Sequence, residues 1–189
     1  MIAYKFLREG AVGPFSRVAW PRPANGEPGD WLRATGSLEL CRNGVHACRP
    51  QDLPFWLSAE LWEVELDGPT RLAPTHVVAA AGRLRAKVDG WSPRTAVDFA
   101  WACAERTRAL GAEAFAVDAE TWARSAAGDA TIACADAACV AYIAAHAAGE
   151  AGGRAAAARE REWQARWLTE RLGLEARSAR PEGVLTSDA

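Results

Sequence analysis

The chain has 189 residues, half of them hydrophobic and 24% charged, with a formal net charge of −2. That balance argues against a disordered chain, a membrane protein and a sequence-independent nucleic-acid binder. The length suits one large domain or two small ones, with enough chain to bury a core without disulfides. In chain order, Ala3-Tyr4-Lys5-Phe6-Leu7 reads as a short strand, and its charges give it no signal- or transit-peptide character. Gly10 to Gly36 is turn-rich, with Gly13-Pro14, Pro21-Arg22-Pro23 and Pro28-Gly29. A loop that long in a small domain suggests a lid or binding loop. Trp20 and Trp31 lie inside it, either pinning it to the core or contacting a ligand. Leu38 to Cys48 reads as strand–turn–strand about Asn43-Gly44. Pro50 to Leu57 reads as a short helix with Asp52 near its N-terminus. Leu61 to Gly68 alternates as a strand ending in a turn, with Trp62, Val64 and Leu66 facing the core. Thr75 to Val88 mixes signals, its valines favouring strand and its alanines allowing helix.

The second half changes texture. Ser92-Pro93 is an N-cap followed by proline at the first helical position. Val97, Ala100, Trp101, Ala104 and Leu110 then recur at helical spacing up to Gly111. A shorter helix is expected from Asp118 to Gly128, and a third, capped by Asp129, runs towards Gly149. After Gly152-Gly153, Arg154 to Leu172 forms a charged helix with Trp163, Trp167 and Leu168 on one side. Residues 175–189 read as a frayed tail. The expected fold is α+β: a small, mainly antiparallel sheet in residues 1–91, packed by an alanine-rich helical region over 92–174. Alanine has roughly three times its usual share. With scarce lysine it points to coding bias and close helix packing, with the nine tryptophans filling the remaining volume.

Functional residue types concentrate in Cys41-Arg42-Asn43-Gly44-Val45-His46-Ala47-Cys48-Arg49. On a strand His46 and Cys48 share a face, with Val45 and Ala47 opposite. Four readings stay open. His46 contacts a substrate or cofactor; Cys48 is a nucleophile with His46 as base; Cys41, His46 and Cys48 bind a metal with a fourth ligand such as His76; or both are satisfied interior residues. The odd set of five cysteines, without secretory context, indicates free thiols in a reducing, cytoplasmic setting. Glu63 and Glu65 share the polar face of their strand, as acid/base or ribose-binding carboxylates beside His46 or as solvated residues. Cys134, Cys139 and His146 lie in one helical stretch, as an incomplete metal set or as helix packing. Phosphate-binding glycine motifs, a nucleophile elbow and zincin signatures are absent from the sequence.

Tyr4-Lys5-Phe6, Gly44-Val45-His46-Ala47-Cys48 and Val64-Glu65-Leu66-Asp67-Gly68 together resemble an uncharacterised domain of phage, prophage and actinobacterial proteins. That domain has a Y-K-x-F opening, a G-[FV]-H-A-C motif and a V-E-x-x-G strand, and the resemblance covers residues 3–90. The order of elements is also similar to ADP-ribosyltransferase-like folds such as the rifampin-modifying type, although Lys5-Phe6 replaces the histidine-glycine of their opening strand. The similarity implies NAD binding and group transfer, while no motif in the residues assigns a cofactor. The leading expectation is an enzyme acting on a small molecule or nucleotide, with no nucleic-acid polymer and no membrane as partner. Its catalytic candidates are His46, Glu65, Glu63 and Cys48. Tyr4, Lys5, Trp20, Trp31 and Arg49 are the binding candidates, and no metal is assigned. The alternative is a non-catalytic adaptor or homodimer that associates through the Trp163/Trp167 helix.

Overall fold

The computed structural model describes residues 1–174, so the expected tail at 175–189 lies outside the described residues. Five strands are formed: β1 (Ile2–Leu7), β2 (Leu32–Arg33), β3 (Val45–Ala47), β4 (Glu60–Ala73) and β5 (His76–Lys87). All of their pairings are antiparallel, in the order β1-β4-β5-β2, with β3 also paired to β5. The backbone of Tyr4 exchanges two hydrogen bonds with Cys48, just beyond β3, at 2.8 and 2.6 Å. β1 and β3 lie at opposite ends of the strand order, so these bonds roll the sheet closed on itself. The α+β architecture is as expected, with helices α1 (Pro93–Ala109), α2 (Glu113–Gly128) and α3 (Ala133–Arg171) forming the second half.

Strand alternation then separates two cores. Trp62, Val64 and Leu66 pack inside the rolled sheet with Leu7, Trp20, Val45, Val77 and Leu84. Tyr4, Phe6 and Leu61 point outwards and meet Leu53, Phe99, Val140 and Leu168 beneath the helices. Leu61 shares the parity of the two glutamates yet is fully buried, because that face of the sheet is covered by helices where the strand begins and open further along. Both halves of the chain thus contribute to the outer core.

Several local expectations are corrected. Leu38 to Cys41 is not a strand; the segment forms one bridge, Glu39 to Asn43, and β3 pairs with β5 instead. The turn expected at Gly68 is a register shift between Asp67 and Thr70 inside a strand that continues to Ala73. Thr75 to Val88 resolves as β5, whose two-sided pairing rewards the β-branched residues more than a helix rewards the alanines. The second helix begins at Glu113 rather than Asp118. Asp129 is not the cap of α3; it accepts the backbone N–H and hydroxyl of Thr131 in the preceding turn, and Ile132 occupies the cap position.

Ser92 does cap α1, its hydroxyl accepting the Thr95 N–H at 3.3 Å, with Pro93 following. Ala116, Ala119, Ala123 and Ala126 form the buried stripe of α2, where small side chains permit close helix approach. Gly152 and Gly153 leave helical geometry and split α3. The two arms then pack back on each other, as Gln164 donates to the Ala141 carbonyl at 3.0 Å. Trp167 lies against Phe99 with ring centroids 5.1 Å apart, and Trp163 is covered by the Arg106 guanidinium at 4.1 Å. These two rings, expected as an association surface, are partly buried against the outer core. No helix among the described residues is long and apolar enough to cross a membrane.

Candidate functional site

The structure brings together Lys5, His46, Cys48 and Arg49 from the candidate set, and adds His76, Asp52 and Trp56. His46 is held at both ring nitrogens. The Cys41 N–H donates to Nε2 at 3.0 Å, and Nδ1 lies 3.0 Å from the Gly44 carbonyl. An N–H can only donate, so Nε2 is the acceptor and Nδ1 carries the proton. That arrangement requires a neutral ring, and burial, outweighing the Gly44 bond, lowers its pKa. His46 therefore organises the turn before β3. The Cys48 thiol is pushed up to about 12 by burial, with Lys5 pulling in the opposite sense. Such a thiol stays protonated at neutral pH and is a poor nucleophile.

Lys5 donates to the His46 carbonyl at 2.5 Å and lies over the Trp20 ring at 5.2 Å. Burial brings its pKa down to about 8. Trp20 is only 6% exposed, so it belongs to the inner core beneath that ammonium rather than to a ligand surface. Tyr4 is likewise buried, its ring in the outer core. Arg49 is a latch: Nε and Nη2 grip the buried Asp52 carboxylate at 2.6 and 2.9 Å, and Nη2 reaches the Ala73 and Pro74 carbonyls. Trp56 donates to the Thr75 carbonyl at 2.6 Å. Together these bonds fasten the β4–β5 hairpin to the short 3-10 helix Pro50–Phe55. His76 is trapped beneath, between His46 at 5.3 Å and Trp56 at 5.5 Å, with neither ring nitrogen hydrogen-bonded.

Glu63 and Glu65 are not part of this cluster. Glu65 binds Arg83 at 2.8 Å, and Glu63 faces Arg85 at 3.5 Å. Along β5, His46 sits opposite Val78 while Glu65 sits opposite Arg83, a separation of about 16 Å at the usual strand rise. The Trp31 ring is covered at 4.5 Å by Arg83, the partner of Glu65. Among the described residues no group of three or more His, Cys, Asp or Glu is placed to hold a metal ion, and the five cysteines are unpaired.

The residues that sequence reasoning missed form a groove of about 460 Å³ on the other side of Trp56. Its walls are Pro14 and Phe15 from the long loop, Pro54 to Ser58 around the 3-10 helix, and Ala138, Tyr142 and Arg161 from the two arms of α3. Phe15 is 81% exposed, Tyr142 64% and Phe55 44%. Phe15 meets Trp56 edge-on at 6.2 Å, and Arg161 lies over Phe55 at 4.8 Å. The available signal was an isolated Phe15 in a Gly/Pro loop and a Tyr142 in an alanine helix, each a large ring with no core position to fill. Comparison with protein-family models, curated proteins and solved structures gives no match.

Proposed function

We propose that this protein binds a small molecule or nucleotide in the groove between the Phe15 loop, the 3-10 helix and α3. One observation carries the reading: several large aromatic rings left exposed around a single concavity. Exposed apolar surface gathered in a hollow of ligand size is characteristic of binding sites. Flat rings there offer stacking faces to a planar ligand. Among the described residues lining the groove, Ser58 and Tyr142 supply hydroxyls but none supplies a carboxylate, thiol or imidazole, which supports binding rather than acid–base or covalent catalysis. The partial burial of Trp163 and Trp167 against the outer core leaves less ring surface for an adaptor that docks through the last helix.

A thermal-shift panel of nucleotides and aromatic metabolites tests it. A ligand at about one hundred times its dissociation constant adds about 2.7 kcal/mol, which raises Tm by roughly 5–11 °C in a domain of this size. Phe15→Ala and Tyr142→Ala remove exposed rings and leave the fold intact. Each is expected to weaken binding about fivefold or more, the worth of one stacking contact. A shift of the same size and concentration dependence in both variants contradicts the assignment.

A further inference from the structure

We infer that the ligand of this groove carries an anionic group, a carboxylate or a phosphate, seated on Arg161. The inference rests on the groove reading above and specifies the chemistry of its occupant. Arg161 Nη1 donates to the Pro54 carbonyl at 3.2 Å and to Gln164 Oε1 at 3.0 Å. Those two bonds and the Phe55 ring fix the plane of the guanidinium against the groove wall. No described hydrogen bond engages Nε or Nη2, and no described carboxylate lies within ion-pair distance of the side chain.

Several other arginines among the described residues are ion-paired. Arg49, Arg83, Arg106 and Arg171 each face a carboxylate within 2.9 Å. The acid adjacent in sequence, Glu160, is buried and already bound by Arg106 at 2.7 Å. Arg161 is half-buried, and burial lowers its pKa, yet a guanidinium keeps its charge in a protein. A desolvated, rigidly held cation that feels Glu160 only at a distance, that carboxylate being bound by Arg106, is costly, and an anion that supplies two acceptors recovers that cost through paired hydrogen bonds. The surrounding rings of Phe15, Trp56 and Tyr142 add the second requirement, a flat apolar body next to the charge. The occupant is therefore an aromatic or heteroaromatic anion.

Calorimetric titration of the full chain with two matched pairs tests this: adenosine against adenosine monophosphate, and benzyl alcohol against benzoate. In at least one pair the anion is expected to bind about tenfold or more tightly, and the advantage is expected to shrink as salt is raised. A preference within the first pair alone assigns a phosphate; within the second, a carboxylate. In Arg161→Gln the anion falls to the affinity of its neutral partner, which itself is unchanged. Arg161→Lys, which keeps the charge, retains part of the preference and covers the case in which the glutamine variant folds poorly. Equal affinity within both pairs overturns the anion inference while leaving the groove reading intact, and so does an anion preference that survives in folded Arg161→Gln. Binding of none of the four compounds overturns the groove reading and this inference together.

Discussion

His46 and His76 show how a residue type that suggests chemistry is spent on structure. His46 needs a free Nε2 lone pair for the Cys41 N–H, and His76 sits between two rings with no acceptor for a proton. Burial lowers both pKa values from 6.5, and the nearby Lys5 charge acts in the same sense. A histidine with a depressed folded-state pKa takes up fewer protons folded than unfolded, so stability increases with pH across the interval between the two values. The contribution is complete above about pH 6.5 and is lost as pH falls towards the folded values. Urea midpoints between pH 7.5 and 5.5 are expected to decline, and His76→Phe is expected to flatten that decline. A decline of equal slope in the variant contradicts the role given to His76. Sequence spacing placed His46 and Cys48 on one face correctly. It could not reveal that both His46 nitrogens are used by the Cys41–Gly44 turn, because hydrogen-bond partners depend on loop geometry rather than on periodicity.

At the scale of elements, alternation and caps were the legible signals. The inward set Trp62, Val64 and Leu66 and the Ser92-Pro93 start of α1 follow from side-chain period and capping chemistry alone. What eluded the sequence were features set by partners. β4 continues past Gly68 because β5 pairs with it beyond the register shift, and Leu38 to Cys41 stays irregular because β5 is already the partner of β3. The break in α3 can be tested directly. Gly153 has φ of 72° and ψ of −173°, a region essentially confined to glycine that costs a side-chain-bearing residue about 1–3 kcal/mol. Gly149 is helical and a Cβ there meets Ala157 at an ordinary 3.5 Å. Gly153→Ala is therefore expected to destabilise by about 1–3 kcal/mol, and Gly149→Ala to stabilise by about 0.5–1 kcal/mol, both read from urea unfolding. Equal effects of the same sign contradict a reversal at Gly153.

The whole molecule joins segments that are remote in sequence. The backbone pair of Tyr4 and Cys48 closes the sheet, and neither residue carries a signal for it, since backbone hydrogen bonds do not depend on side-chain identity. The groove is similar: its residues come from the long loop, the 3-10 helix and both arms of α3. Arg161 in particular lies in the run Arg159-Glu160-Arg161-Glu162, which in sequence reads as a solvated helical face. The turn at Gly152-Gly153 carries it back onto Pro54. From the long loop it is Pro14 and Phe15, rather than Trp20 or Trp31, that line the proposed groove. Hydrogen–deuterium exchange with and without adenosine monophosphate at millimolar concentration tests the location of the site most directly. Binding in the groove predicts protection of residues 14–15, 54–58 and 138–142, with little change at 45–49. Protection confined to 45–49, or no protection with any nucleotide or aromatic anion, contradicts it.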